Sequence, residues 1–115
     1  MRLALAICGL LLASPAFANM PPPKWDHPFA GKMAKHLVPY GNAAKLCQKL
    51  NPEGGSPDYI DGRPLFGCQF WSGKTCVIVY SFDPTGKDQK MKSNVFRHEQ
   101  AHCNGWPSNH PGALP

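Results

Sequence analysis

Four cysteines set the tightest limit on what this chain can fold into. Cys47, Cys68, Cys76 and Cys103 lie within 115 residues, and a fifth, Cys8, sits near the start. A domain of this size buries little apolar area, so covalent staples matter to it. Whether cysteines become staples depends on the compartment in which the chain folds.

The N-terminus addresses that point. Arg2 precedes the apolar run Leu3–Ala13, and Ser14-Pro15-Ala16-Phe17-Ala18 puts small residues at the two positions a signal peptidase reads. Residues 1–18 therefore read as a secretory signal peptide cleaved after Ala18. The run is too short for a transmembrane anchor, Cys8 departs with it, and no later segment is apolar enough to cross a membrane. The expected location is secreted or periplasmic. Removing 18 of 115 residues leaves 97 with an even set of four cysteines. These read as two disulfides worth roughly 2–4 kcal/mol each.

The net charge of +5 becomes +4 once Arg2 is lost, and it is carried by scattered lysines. No Arg-rich or aromatic-interleaved stripe accompanies it, which argues against nucleic acid as a partner.

Residues 19–38, headed by Pro21-Pro22-Pro23, read as a Pro-rich extended arm, and 39–115 as the folded domain. Ala43–Leu50 reads as a short helix with Asn42 as N-cap, ended by Asn51-Pro52. Glu53–Arg63 is loop-like. Pro64–Trp71 and Lys74–Phe82 read as two strands of a hairpin, and Val77-Ile78-Val79-Tyr80 is the most β-prone run. A three-residue turn, Trp71-Ser72-Gly73, would set Cys68 opposite Cys76 for a disulfide. Asp83-Pro84-Thr85-Gly86 is a turn, and a second helix is expected from about Lys87 to Cys103, ended by Gly105 and Pro107. The fold class is a small disulfide-stapled α+β domain.

That second helix carries His98-Glu99-Gln100-Ala101-His102, the H-E-x-x-H pattern. Residues four apart share a helix face, so His98 and His102 can reach one ion. Glu99 lies about 100° further round the helix, beside the ion rather than on it. Cys103 lies about 140° from His98 and points away from the ion; it is assigned to a disulfide with Cys47, which would clamp the two helices together. A catalytic zinc keeps three protein ligands and one open position. His110, eight residues past His102 and beyond the helix-ending glycine, is the candidate third ligand. Pro111 biases it towards an extended backbone. Asp83, His36, His27 and Asp61 are weaker candidates. Trp106 and Pro107 are expected to pack under the helix and fix the returning loop.

These residues resemble the zincin metallopeptidases, which are built on H-E-x-x-H. Val95, Phe96, Gln100, Ala101 and Cys103 agree with the longer zincin pattern, whereas Asn104 stands where an apolar residue is usual. Gly105 resembles the glycine of the extended metzincin motif. Ser108 occupies the metzincin third-ligand position, and no methionine follows the helix to form a Met-turn. The run ending Cys103-Asn104-Gly105-Trp106 is also similar to one in small exported bacterial proteins. The resemblance implies a Zn2+ cofactor, Glu99 as general base, and a peptide or peptide-like substrate paired to an edge strand. Thr75–Ser81 is the candidate for that strand, and Tyr80, Tyr59 or Tyr40 for an oxyanion partner. The expected function is a zinc-dependent hydrolase, a minimal metallopeptidase or amidase. The alternative is a non-enzymatic, disulfide-stapled zinc-binding protein of the cell envelope.

Overall fold

The structure is a computed structural model that describes residues 19–54, 59–60 and 63–115, with side chains for 19–54 and 65–115. The expected signal peptide with Cys8, Asp61 and the side chain of Tyr59 lie outside the described residues.

Among the described residues, five strands and two α-helices follow in order: β1 (Lys32–Pro39), α1 (Ala43–Leu50), β2 (Tyr59–Ile60), β3 (Arg63–Pro64), β4 (Cys68–Ser72), β5 (Thr75–Phe82) and α2 (Met91–Cys103). The fold is a small α+β domain. Its main sheet is three-stranded and mixed, in the order β1-β5-β4, while β2 and β3 form a separate ladder. Among the described residues no helix is long and apolar enough to cross a membrane.

β5 explains the architecture. Val77, Ile78 and Val79 are all buried, with Ile78 and Val79 fully so. Alternate side chains of a strand leave by opposite faces, so an unbroken apolar run needs cover on both. Val79 packs with Ala43 and Cys47 of α1 on one face. Cys76 and Ile78 pack with Cys103 of α2 on the other, and Phe29, Met33, Tyr80 and Phe96 close over them. Each of the large core side chains contributes about 1.5–3 kcal/mol.

β1 pairs with β5 in parallel, from Lys32↔Thr75 to Pro39↔Phe82. The stretch expected to be an arm is thus part of the domain. Pro21 is also fully buried, and Met20 makes a bridge to Leu114. Lys32 and Lys35, both exposed and on opposite faces, masked this strand in the sequence; charged residues of this kind are common on edge strands.

The hairpin register differs from the expected one, and both disulfides change with it. Ser72 pairs with Thr75, so the turn holds two residues, Gly73 and Lys74. Gly73 takes the left-handed conformation there (φ 60°). Cys68 then faces Val79, and Cys76 faces Trp71. Cys68 and Trp71 are three residues apart, so Cys68 and Cys76 leave the sheet on opposite faces. Each joins the helix on its own side. The disulfides are Cys47–Cys68 and Cys76–Cys103, not Cys68–Cys76 and Cys47–Cys103. Each helix is stapled to the sheet, rather than the two helices to one another.

Smaller differences are local. Asn42 accepts the Leu46 amide through its carbonyl (3.1 Å), but its side chain makes no cap bond. α2 starts at Met91 rather than Lys87, because the 83–90 segment is tied into a turn. Asp83 Oδ1 accepts the Thr85 amide (2.9 Å) and hydroxyl (2.7 Å), and Oδ2 accepts the Asp88 amide (2.8 Å). Those bonds, led by the Thr85 hydroxyl, hold the Asp83 carboxyl below its ordinary pKa.

Gly67 positions β4 against α2. A Cβ there would stand 2.4 Å from the Val79 carbonyl oxygen and 3.0 Å from Val95 Cγ1. The first of these is backbone and cannot rotate aside. Gly67→Ala is expected to destabilise the fold by about 1–3 kcal/mol, as overpacking does. Urea denaturation checks this, and an unchanged midpoint would show that the strand and helix are not in such close approach.

Candidate metal centre

α2 ends so as to build a site. Gly105 has φ 107°. The Gly105 amide donates to the His102 carbonyl (3.1 Å) and the Trp106 amide to the Ala101 carbonyl (3.0 Å). This is a Schellman motif, which needs a residue free to take the left-handed region. The reversal folds the tail back over the last turn of α2. Trp106, 2 % exposed, then lies under the histidines. Its ring stacks on His102 (5.0 Å, 16°) and meets His98 and His110 edge-on (5.1 and 4.9 Å). Its indole N–H donates to the Pro111 carbonyl (2.9 Å), fixing the tail. The packing role expected of Trp106 is therefore the one it has.

His98, His102 and His110 come together. Their Nε2 atoms are separated by 3.4 Å (His98–His102), 3.2 Å (His102–His110) and 3.1 Å (His98–His110). Tetrahedral ligands at about 2.0–2.1 Å from an ion stand roughly 3.3 Å apart, from the tetrahedral angle. The triangle therefore has the dimensions of three such ligands.

The tautomers point the same way. His98 Nδ1–H donates to the Asn19 carbonyl (2.6 Å), and His102 Nδ1–H donates to the Trp106 carbonyl (2.7 Å). A neutral imidazole has one N–H, so both Nε2 atoms turn lone pairs towards the cluster. Two lone pairs 3.4 Å apart cannot hydrogen-bond each other. A cation between them turns that repulsion into attraction. Metal-ligating histidines commonly have such carbonyl partners. The residues fit a metal ion.

Burial acts on the same groups. Desolvation pushes His98 down to about 4, opposed in part by the Asn19 hydrogen bond and helped by His102 and His110. His102 and His110 are also lowered, chiefly by burial. Three neutral imidazoles are what an ion needs. Glu99, 7 % exposed, is pushed up to about 8 by burial.

These shifts predict how the ion-free chain responds to pH. Between 4.5 and about 8 the folded chain keeps a proton on Glu99 that the unfolded chain has lost. That contribution is complete at low pH and fades as pH rises. His98 runs oppositely: between about 4 and 6.5 only the unfolded chain is protonated there, so stability rises with pH, and His102 and His110 share that sign. Above about pH 7.5, one unit past the unfolded histidine pKa, the unfolded histidines have also lost their protons and Glu99 alone acts. Stability in chelator is expected to fall from about pH 7.5 to about 8.5, through the folded pKa of Glu99, and Glu99→Gln to remove the fall. A wild-type profile that is flat or rising over that window would contradict this environment for Glu99.

The cleft beside the three rings encloses about 400 Å³. Leu65–Gln69, running into β4, forms one wall, and His98, Glu99, His102 and His110 form the other. The strand expected to pair with substrate, Thr75–Ser81, is the central strand β5 with both edges filled. The outer strand beside the histidines is β4.

His110 reaches the cluster by an unexpected route. Its φ is 57°, in the left-handed region rather than the extended one Pro111 favours. Its amide donates to the Pro107 carbonyl (2.9 Å), closing a tight turn. Histidine is among the residues more often found there, and such strain gathers at functional sites.

The weaker ligand candidates are elsewhere. Asp83 is bound up in its turn, His36 lies on β1 beside Val79, and the exposed His27 ring meets the Pro28 carbonyl (3.1 Å). Two of the oxyanion candidates, Tyr80 and Tyr40, do not line the cleft either. Tyr80 packs edge-on against Phe96 (5.2 Å), and Tyr40 stacks on Phe66 (4.8 Å). Sequence reasoning missed Gly67 and the Leu65–Gln69 wall. The signal available was one glycine leading into an aromatic strand, where a glycine commonly marks close backbone approach.

No protein-family model, curated protein or solved structure matches the chain.

Proposed function

We propose that this chain is an exported zinc-dependent hydrolase, a minimal metallopeptidase or amidase. One observation carries the reading: three Nε2 atoms form a triangle of 3.1–3.4 Å with a buried carboxylate, Glu99, on the same cleft wall. The all-imidazole donor set suits zinc. Two disulfides are compatible with an oxidising compartment, and the signal peptide reading supplies the route there.

When bound, zinc supplies Lewis-acid chemistry, polarising a carbonyl and making a water acidic near neutral pH. His98, His102 and His110 would hold it. The Asn19 and Trp106 carbonyls keep the first two rings in the ligating tautomer. Glu99 takes the proton from the attacking water and passes it to the leaving amine. A cation beside Glu99 favours its ionised form, counteracting burial, so the base is ready when the site is loaded. A peptide can lie along β4 by adding backbone hydrogen bonds to the outer strand.

A non-enzymatic zinc-binding envelope protein is the second reading. Among the described residues no tyrosine, lysine or arginine lines the cleft to support an oxyanion. The test is direct. Chain purified without chelator or affinity tag should carry one zinc and hydrolyse some members of a broad peptide panel. Fully metallated chain that cleaves none of them favours the second reading, and folded chain that takes up no divalent ion rejects both.

A further inference from the structure

The segment Asn19–Phe29 runs along α2 and binds residues before, within and after the histidine motif. Arg97 makes a two-point ion pair with Asp26. Gln100 Oε1 accepts the Phe29 amide (3.2 Å). Asn104 Nδ2 donates to the carbonyls of Trp25 (3.0 Å) and His27 (2.6 Å). That accounts for a polar residue at position 104. Met20 and Leu114 exchange backbone hydrogen bonds of 3.0 and 2.7 Å, so the same strap holds the tail that carries His110. At its head, the Asn19 carbonyl accepts the His98 Nδ1–H at 2.6 Å.

We infer that Asn19, through its main-chain carbonyl, is a positioning residue of the three-histidine site, and that cleavage after Ala18 thereby builds the new chain end into that site. The inference rests on the metal-site reading and on that cleavage position. The two helix histidines differ in where their orienting acceptor comes from. His102 uses Trp106, four residues on, so the acceptor comes with the helix end. His98 uses a residue 79 positions away. A carbonyl there keeps the proton on Nδ1 and so places the lone pair on Nε2, the ligating atom. The Asn19 side chain is not what the site uses. Its Oδ1 is buried with no hydrogen-bond partner among the described residues. A chain trimmed by one further residue retains both partners of the Met20–Leu114 bridge and loses the acceptor together with the Asn19 side chain, which Asn19→Gly removes by itself.

Three chains test this: one starting at Asn19, one starting at Met20, and Asn19→Gly, which keeps the carbonyl. Zinc affinity is measured by chelator competition. The His98 ring tautomer is measured by nitrogen-15 NMR on the ion-free protein. The Met20 chain is expected to lose about 10–100-fold in affinity, the usual effect of removing an outer-sphere partner, and to lose the fixed Nδ1–H tautomer. Asn19→Gly is expected to keep both. Unchanged affinity and tautomer in the Met20 chain overturn the inference, as does an equal loss in Asn19→Gly. If the Met20 chain does not fold, the parent decides alone: a His98 proton on Nε2 overturns it, and one on Nδ1 supports it. If no folded chain binds zinc, the metal-site reading fails, and the tautomer comparison still decides what Asn19 does.

Discussion

Glu99→Gln is expected to leave one zinc bound and to lower kcat by about 10²–10⁴-fold against any peptide the wild-type chain cleaves, the usual range for removing a general acid–base group. The substitution keeps size and hydrogen-bonding shape but cannot take a proton. It touches none of the three imidazoles, whose Nε2 atoms define the centre. Zinc content should therefore match wild type by elemental analysis, while turnover collapses. The pairing of results matters. Loss of zinc with loss of activity would make Glu99 a structural residue. Retention of full activity would remove it from the proton path and take the proposed hydrolytic role with it. The substitution should also raise the stability of the ion-free fold at pH 8, where wild type carries the cost of a buried acid whose pKa is about 8.

The fold was legible where local pattern and final environment agree. Ala43–Leu50 is helical as its residue types and the following Asn51-Pro52 require. Thr75–Phe82 is a strand as its β-branched run requires. What the run Val77-Ile78-Val79 also carried was the signature of a strand covered on both faces, which calls for a partner on each edge. The second partner lay in Lys32–Pro39, where lysines and a preceding polyproline suggested solvent. The disulfides failed for a related reason. A hairpin loop of two or three residues cannot be told apart from Trp71-Ser72-Gly73-Lys74 by composition, and such a slip changes which face Cys68 occupies.

The site was legible because its chemistry is local. His98 and His102 are four apart on one helix, and the glycine at 105 with the tail beyond it put His110 within reach. The orienting groups were not legible. The Asn19 and Trp106 acceptors are main-chain carbonyls, and a main-chain carbonyl leaves no mark in a sequence. Asn104 did leave one, as a polar residue where the zincin pattern has an apolar one. Its reason is the pair of strap carbonyls at Trp25 and His27.

Stripping the ion is expected to lower Tm by about 15–30 °C relative to chain held at a thousandfold excess of free zinc over Kd. That excess stabilises the folded state by about 4.1 kcal/mol when the unfolded chain does not bind, and one kcal/mol moves a domain of this size by roughly 4–8 °C. The shift should depend on His110 as well as on the helix histidines, because the three nitrogens are mutually within 3.4 Å. His110→Ala should therefore lose most of it while leaving the Cys76–Cys103 staple of α2 in place. The element that loosens first should be the returning tail, residues 106–114, since an ion bound there bridges it to α2. Hydrogen exchange would read that as faster exchange at His110, whose amide bonds Pro107, and at Leu114, whose amide bonds Met20. A Tm indifferent to zinc, with exchange in the tail unchanged, would mean that the three rings are held together by Trp106 packing alone and do not form a metal centre.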